Sequence, residues 1–150
     1  MFGLVINATP SMPLGVWKIT ERHPAVIASG DVILYCPPPS EITRKALSQG
    51  IYASGGSCDS GLVPLIKRVA GRAGDHVVVN KKGVWINHHL LQDSRALHIP
   101  GIAPVWRSGT LSTTMLWLHS DHEPRGFDSR YFGPAQANDV VATLVPLWVW

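Results

Sequence analysis

The chain is 150 residues long, with 45% apolar and 15% charged residues, 14 glycines and 12 prolines. That length suffices for one domain with its own core and without metal or several disulfides, and the composition argues against a helical bundle or a disordered tail and for a mainly β, loop-rich fold. The formal net charge is +3, but the basic residues are scattered in runs no longer than pairs such as Lys67-Arg68 and Lys81-Lys82, and no apolar stretch reaches the roughly 18 residues of a membrane-spanning helix.

In chain order, the apolar run Phe2 to Ile6 leads into Asn-Ala-Thr-Pro-Ser-Met-Pro at 7–13. Each proline fixes its own φ and disfavours helix for the residue before it, so Thr9 and Met12 are pushed toward extended geometry and Ser11 is expected on a stiff, strand-like segment. Apolar and β-branched runs predict strands at 14–19, 31–35, 62–69, 76–79, 84–86, 115–119 and 140–145. One helix is predicted from Ser40 as N-cap, with Glu41 in the first turn and Gly50 as the stop. Asn80 to Gly83 and Ile86 to Leu90 read as tight reversals, and Asp93 to Thr113 as an irregular excursion. The last residues, 144–150, are strongly apolar and suit either a core strand or a surface that rests on a membrane.

Cys36 and Cys58 lie on either side of the predicted helix. From the residues alone they are either a disulfide closing that loop or two buried thiols, and without a Cys-x-x-Cys spacing they do not indicate zinc.

A serine hydroxyl is a poor nucleophile until a base removes its proton. Lys67 ends the apolar run Leu62-Val-Pro-Leu-Ile66, and burial there would lower its pKa into the range of a usable base; on an edge strand it would simply point to water. In the segment 120–133, Asp128 and Arg130 bracket Ser129 and read as a carboxylate and guanidinium that hold a loop.

Three stretches taken together, Thr-Pro-Ser-Met-Pro at 9–13, Lys-Arg-Val-Ala-Gly-Arg-Ala-Gly-Asp at 67–75 and Phe-Asp-Ser-Arg-Tyr-Phe-Gly at 127–133, resemble the ordered motifs of the type I signal peptidases. The Ser-Met-Pro-Leu-Gly form and the Cys-Pro-Pro…Cys pair are similar to the conjugative-transfer branch, the TraF-type pilin-processing peptidases. The resemblance implies a β-ribbon or barrel core with one short helix in a disulfide-closed loop, with Cys36 and Cys58 joined. It implies Ser11 as nucleophile, Lys67 as general base, Thr9 and the Ser11 N–H as oxyanion hole, and Asp128, Ser129 and Arg130 as structural support. Gly71, Gly74 and Asp75 match the turn after the lysine strand. Gly126 departs from the pattern, standing where many relatives have a serine that hydrogen-bonds the lysine, with Ser129 or a water as a substitute; Ala73 stands where proline is common.

By the same resemblance the substrate is a pilin precursor, and the acyl-enzyme is resolved by water or by the pilin's own amino terminus to a cyclic product. The site would face the periplasm at the inner-membrane surface, anchored by an N-terminal segment that this chain lacks, with no metal, cofactor or nucleic acid. Two other readings are a basic β-barrel that binds single-stranded nucleic acid and an inactive scaffold of pilus assembly. The six tryptophans sit mostly among apolar residues rather than beside Lys or Arg, which disfavours the first. His88-His89 and His119 with His122 lack metal-ligand spacing.

Overall fold

In the computed structural model, which describes residues 3–104, 108–121 and 123–150, the apolar runs pair into two antiparallel sheets. Phe2, Trp106 and His122 lie outside the described residues. In chain order the elements are β1 (Leu4–Asn7), β2 (Gly15–Arg22), β3 (Val32–Tyr35), α1 (Glu41–Ser48), β4 (Leu65–Gly71), β5 (His76–Asn80), β6 (Gly83–Ile86), β7 (His89–Leu90), β8 (Ser108–Thr110), β9 (Met115–His119), α2 (Ser129–Phe132), β10 (Ala135–Gln136) and β11 (Val140–Val149). The larger sheet has the order β1-β2-β11-β3-β4-β9-β10 and the smaller β7-β6-β5-β8. Mainly β, with a helix inside a disulfide-closed loop, is the architecture expected from the sequence.

The departures have local causes. Pro64 has no N–H to give a ladder, and the lysine strand accordingly opens at Leu65 rather than Leu62. β11 runs past Pro146 because beyond Leu144 it pairs with β2 alone, and its register shifts between Pro146 and Trp148. The excursion at 93–113 is not wholly irregular: its Ser108–Thr110 stretch pairs with β5. A second, one-turn helix, α2, had no apolar period to reveal it and forms because Asp128 caps it.

β4 lies inside the larger sheet between β3 and β9. The smaller sheet packs against this region through a cluster of Val77, Val84, Ile86, Leu111 and Trp117. Gly71 is where the two meet: a Cβ there would lie 3.2 Å from both Leu111 Cδ1 and Trp117 Cβ. On the other side, α1 is fixed by a capping box between Ser40 and Thr43. Cys36 and Cys58 are joined, and Cys58 packs with Ala46, Tyr52, Leu62, Phe127 and Tyr131.

Candidate active site

Asn7 is the last residue of β1 and is buried. Its Nδ2 donates to the carbonyls of Thr9 and Met12, both at 2.9 Å, and of Pro13 at 3.0 Å. Its Oδ1 accepts from the Thr9 N–H at 3.1 Å and from Thr9 Oγ1 at 2.9 Å. One amide side chain thereby gathers the backbone of residues 9–13 into a turn, and Trp17 Nε1 adds a bond to the Pro13 carbonyl at 3.1 Å. The strand-like segment expected around Ser11 is therefore a turn, with rigidity supplied by Asn7 as well as by the prolines. Ser11 Oγ stands 3.5 Å from Thr9 Oγ1, and the Ser11 N–H makes no hydrogen bond among the described residues.

Lys67, on β4 opposite Ile33, is 2% exposed and does not point to water. Burial lowers its pKa from 10.5 to about 8; the Asp128 carboxylate opposes that shift, Arg130 reinforces it and Glu123 opposes it. The two sequence candidates are not hydrogen-bonded to each other among the described residues, but their chain neighbours Met12 and Ile66 share one hydrophobic cluster.

Asp128 and Arg130 are fully buried and form a two-pronged pair, Nε to Oδ1 at 2.8 Å and Nη2 to Oδ2 at 2.9 Å. Burial pushes the Asp128 carboxyl up, yet the hydrogen bonds and charge of Arg130 win and hold it below the usual range. The remaining guanidinium donors go to carbonyls of Asp93, Arg95, Pro124, Glu123 and Gly126. Arg130 thus fastens the excursion to the segment around Asp128. Ser129 Oγ accepts from the Leu118 N–H at 2.9 Å; it holds β9, not the lysine.

A family model described as signal peptidase, peptidase S26, matches residues 4–150. The chain belongs to this family. It is 37% identical over 145 residues to the probable conjugal transfer protein TraF of Sinorhizobium fredii, covering 93% of this chain and 73% of that protein. It is 32% identical over 154 residues to the plasmid transfer protein TraF of Escherichia coli, covering 99% and 84%. Among solved structures, a signal peptidase I of Enterococcus faecalis aligns with a TM-score of 0.48 at 18% identity, over 80% of this chain and 97% of that one. At the level of the family, this is a serine peptidase.

Sequence reasoning passed over Asn7 and weighed His119 only as a metal ligand. Asn7 carried a signal, a turn-forming residue closing an apolar run two positions before Thr9. His119 carried no signal for its place beside Asp128: it is buried on β9, its Nε2 lies 3.1 Å from the Gln92 carbonyl and its Nδ1 3.6 Å from Asp128 Oδ2. Burial lowers its pKa in spite of Asp128.

Proposed function

We propose that this chain is a Ser-Lys endopeptidase that cleaves a pilin precursor in conjugative transfer through an acyl-enzyme on Ser11. The observation that carries this reading is Lys67, a lysine desolvated on an interior strand so that its neutral form is populated near pH 8. Neutral Lys67 Nζ takes the Ser11 proton as Oγ attacks the scissile carbonyl. The resulting ammonium returns the proton to the leaving amine, which departs and leaves an ester on Ser11. Water, or the amino terminus of the same pilin, then attacks that ester and releases a linear or a cyclic product.

The oxyanion hole draws on the Ser11 N–H and the Thr9 hydroxyl. Thr9 Oγ1 donates to Asn7 Oδ1 in the resting protein. Its hydrogen can rotate to a developing oxyanion while the Thr9 N–H keeps Asn7 Oδ1 satisfied. The relatives' naming as conjugal and plasmid transfer proteins supports the biological setting. The Cys36–Cys58 disulfide fits an oxidising compartment, and the exposed apolar rim of β1 and β11 fits the periplasmic face of the inner membrane.

The test is intact-mass spectrometry of the protein mixed with a pilin precursor. We expect an adduct with the mass of the acyl fragment, mapped to Ser11, and neither adduct nor processing with Ser11→Ala. Undiminished processing by Ser11→Ala would overturn the reading.

A further inference from the structure

Ser120 directly follows β9 and is 0% exposed, and its hydroxyl has no hydrogen-bond partner among the described residues. A buried hydroxyl in that state has lost its water and gained nothing in exchange, which asks for a role. Being out of reach of any substrate, it is not a second nucleophile.

Its position answers the question. The β4–β9 register pairs Arg68 with His119 and Val69 with Leu118. The ladder ends there with β9 at His119; carried one position further, its register would set Ser120 across from Lys67 on the same face, and Cβ atoms so opposed lie about 4.5–5.5 Å apart. The Ser120 N–H donates to Asp128 Oδ2 at 2.9 Å, so the carboxylate whose charge acts on Lys67 also fixes the Ser120 backbone. Gly126 supplies an independent observation. A Cβ on it would fall 2.1 Å from Ser120 Oγ and 2.3 Å from Ser120 Cβ. The space a side chain at 126 would fill is occupied by the side chain of Ser120.

We propose that Ser120 is the positioning residue for Lys67, its hydroxyl accepting an Nζ–H so that the lone pair of the neutral amine is turned toward Ser11. The inference rests on the Ser11–Lys67 reading above. Ser120 provides from the end of β9 the hydroxyl that Gly126 lacks, and neither Ser129, bonded to Leu118, nor a water is needed for the task. The hydroxyl has no partner among the described residues of the free protein; it engages Nζ when the amine is charged, and the contact tightens further with substrate bound, as catalytic hydrogen bonds that are long in a free enzyme commonly do. After proton transfer the same oxygen holds the ammonium, which Asp128 and Glu123 favour and Arg130 disfavours.

The test uses four variants, Ser120→Ala, Ser120→Gly, Gly126→Ser and the double Ser120→Gly/Gly126→Ser, alongside Ser11→Ala and Lys67→Arg. Two readouts are taken: kcat and KM on a fluorogenic pilin-derived peptide, and the titration of Lys67 Cε by NMR in ¹³C-lysine protein, assigned by its loss in Lys67→Arg. Ser120→Ala should lower kcat about 10-fold to 100-fold with little change in KM. It should also move the Lys67 midpoint to lower pH, because the ammonium loses an acceptor. Gly126→Ser alone should be destabilised by the collision with Ser120. The double variant, which moves the hydroxyl from 120 to 126, should recover most of kcat and the midpoint. A wild-type rate and midpoint in Ser120→Ala, with Ser11→Ala and Lys67→Arg dead, would sink this inference and leave the dyad standing. Activity in either of the latter two would instead remove the dyad, while the NMR midpoint would still report on the Ser120–Lys67 contact.

Discussion

A lysine 2% exposed on an interior strand is held at a cost to the fold, and the sign of that cost follows from its pKa. The folded value, about 8, lies below the ordinary 10.5, so between those two the unfolded chain binds more protons and stability rises with pH. Below pH 8 the folded protein carries a buried ammonium. Lys67→Met, which keeps the length and removes the charge, should therefore be inactive yet more stable at pH 7 by on the order of 3 kcal/mol, with the gain vanishing as pH rises above 10.5. Urea denaturation at both pH values measures this; an equal or lower stability of the variant at pH 7 would contradict the burial argument. Lys67 was legible in the sequence because a charge that ends a run of apolar residues stands out. Asn7 carried only the general signal of a turn residue, its partners being its own chain neighbours, and Ser120 carried none, since its role depends on groups that only the fold brings near.

At the scale of elements, the turn between β1 and β2 is organised by a single amide that binds three carbonyls. Replacing Asn7 with Ala leaves the prolines and removes the brace, so the Ser11 and Thr9 donors lose their fixed geometry. We expect kcat to fall on the order of 10²-fold, with KM changed far less. Steady-state kinetics would detect it, and an unchanged kcat would mean that the prolines alone suffice. The same scale explains what the sequence made legible. Strands at 76–79, 84–86 and 115–119 and the Ser40-capped helix were readable because their apolar spacing, turn residues and cap lie within a few positions of each other. β8 and α2 were not. β8 is the short Ser-Gly-Thr, made a strand by pairing with β5, and α2 is one turn held by Asp128 and Arg130, the arginine itself held by distant carbonyls and the aspartate by the Ser120 N–H.

Across the whole molecule, the Ser11 turn sits at an edge of the larger sheet beside an apolar rim. Leu4 and Ile6 of β1 are exposed, as are Val145, Leu147 and Val149 of β11, together with Trp148 at 72% and Trp150 at 73%. β2 pairs with both strands, and the Trp150 N–H donates to the Leu14 carbonyl at 3.0 Å, so the rim adjoins the turn that carries Ser11. A peptidase resting on a bilayer by this rim would meet a substrate that emerges from it. Sedimentation with anionic phospholipid vesicles should then recover the wild type, and Trp148→Ser with Trp150→Ser should lower partitioning by at least about 10-fold, since each ring withdrawn from the interface forfeits its burial. Equal partitioning would assign the rim elsewhere. The central claim, that a desolvated Lys67 takes the proton of Ser11, is tested most directly by the pH profile of kcat/KM on a pilin-derived peptide, for the wild type and for Lys67→Arg. The account predicts an acid limb with a midpoint near 8 and no activity in the arginine variant, whose guanidinium keeps its proton. A wild-type profile flat between about pH 6 and 9, or an active Lys67→Arg enzyme, would contradict it.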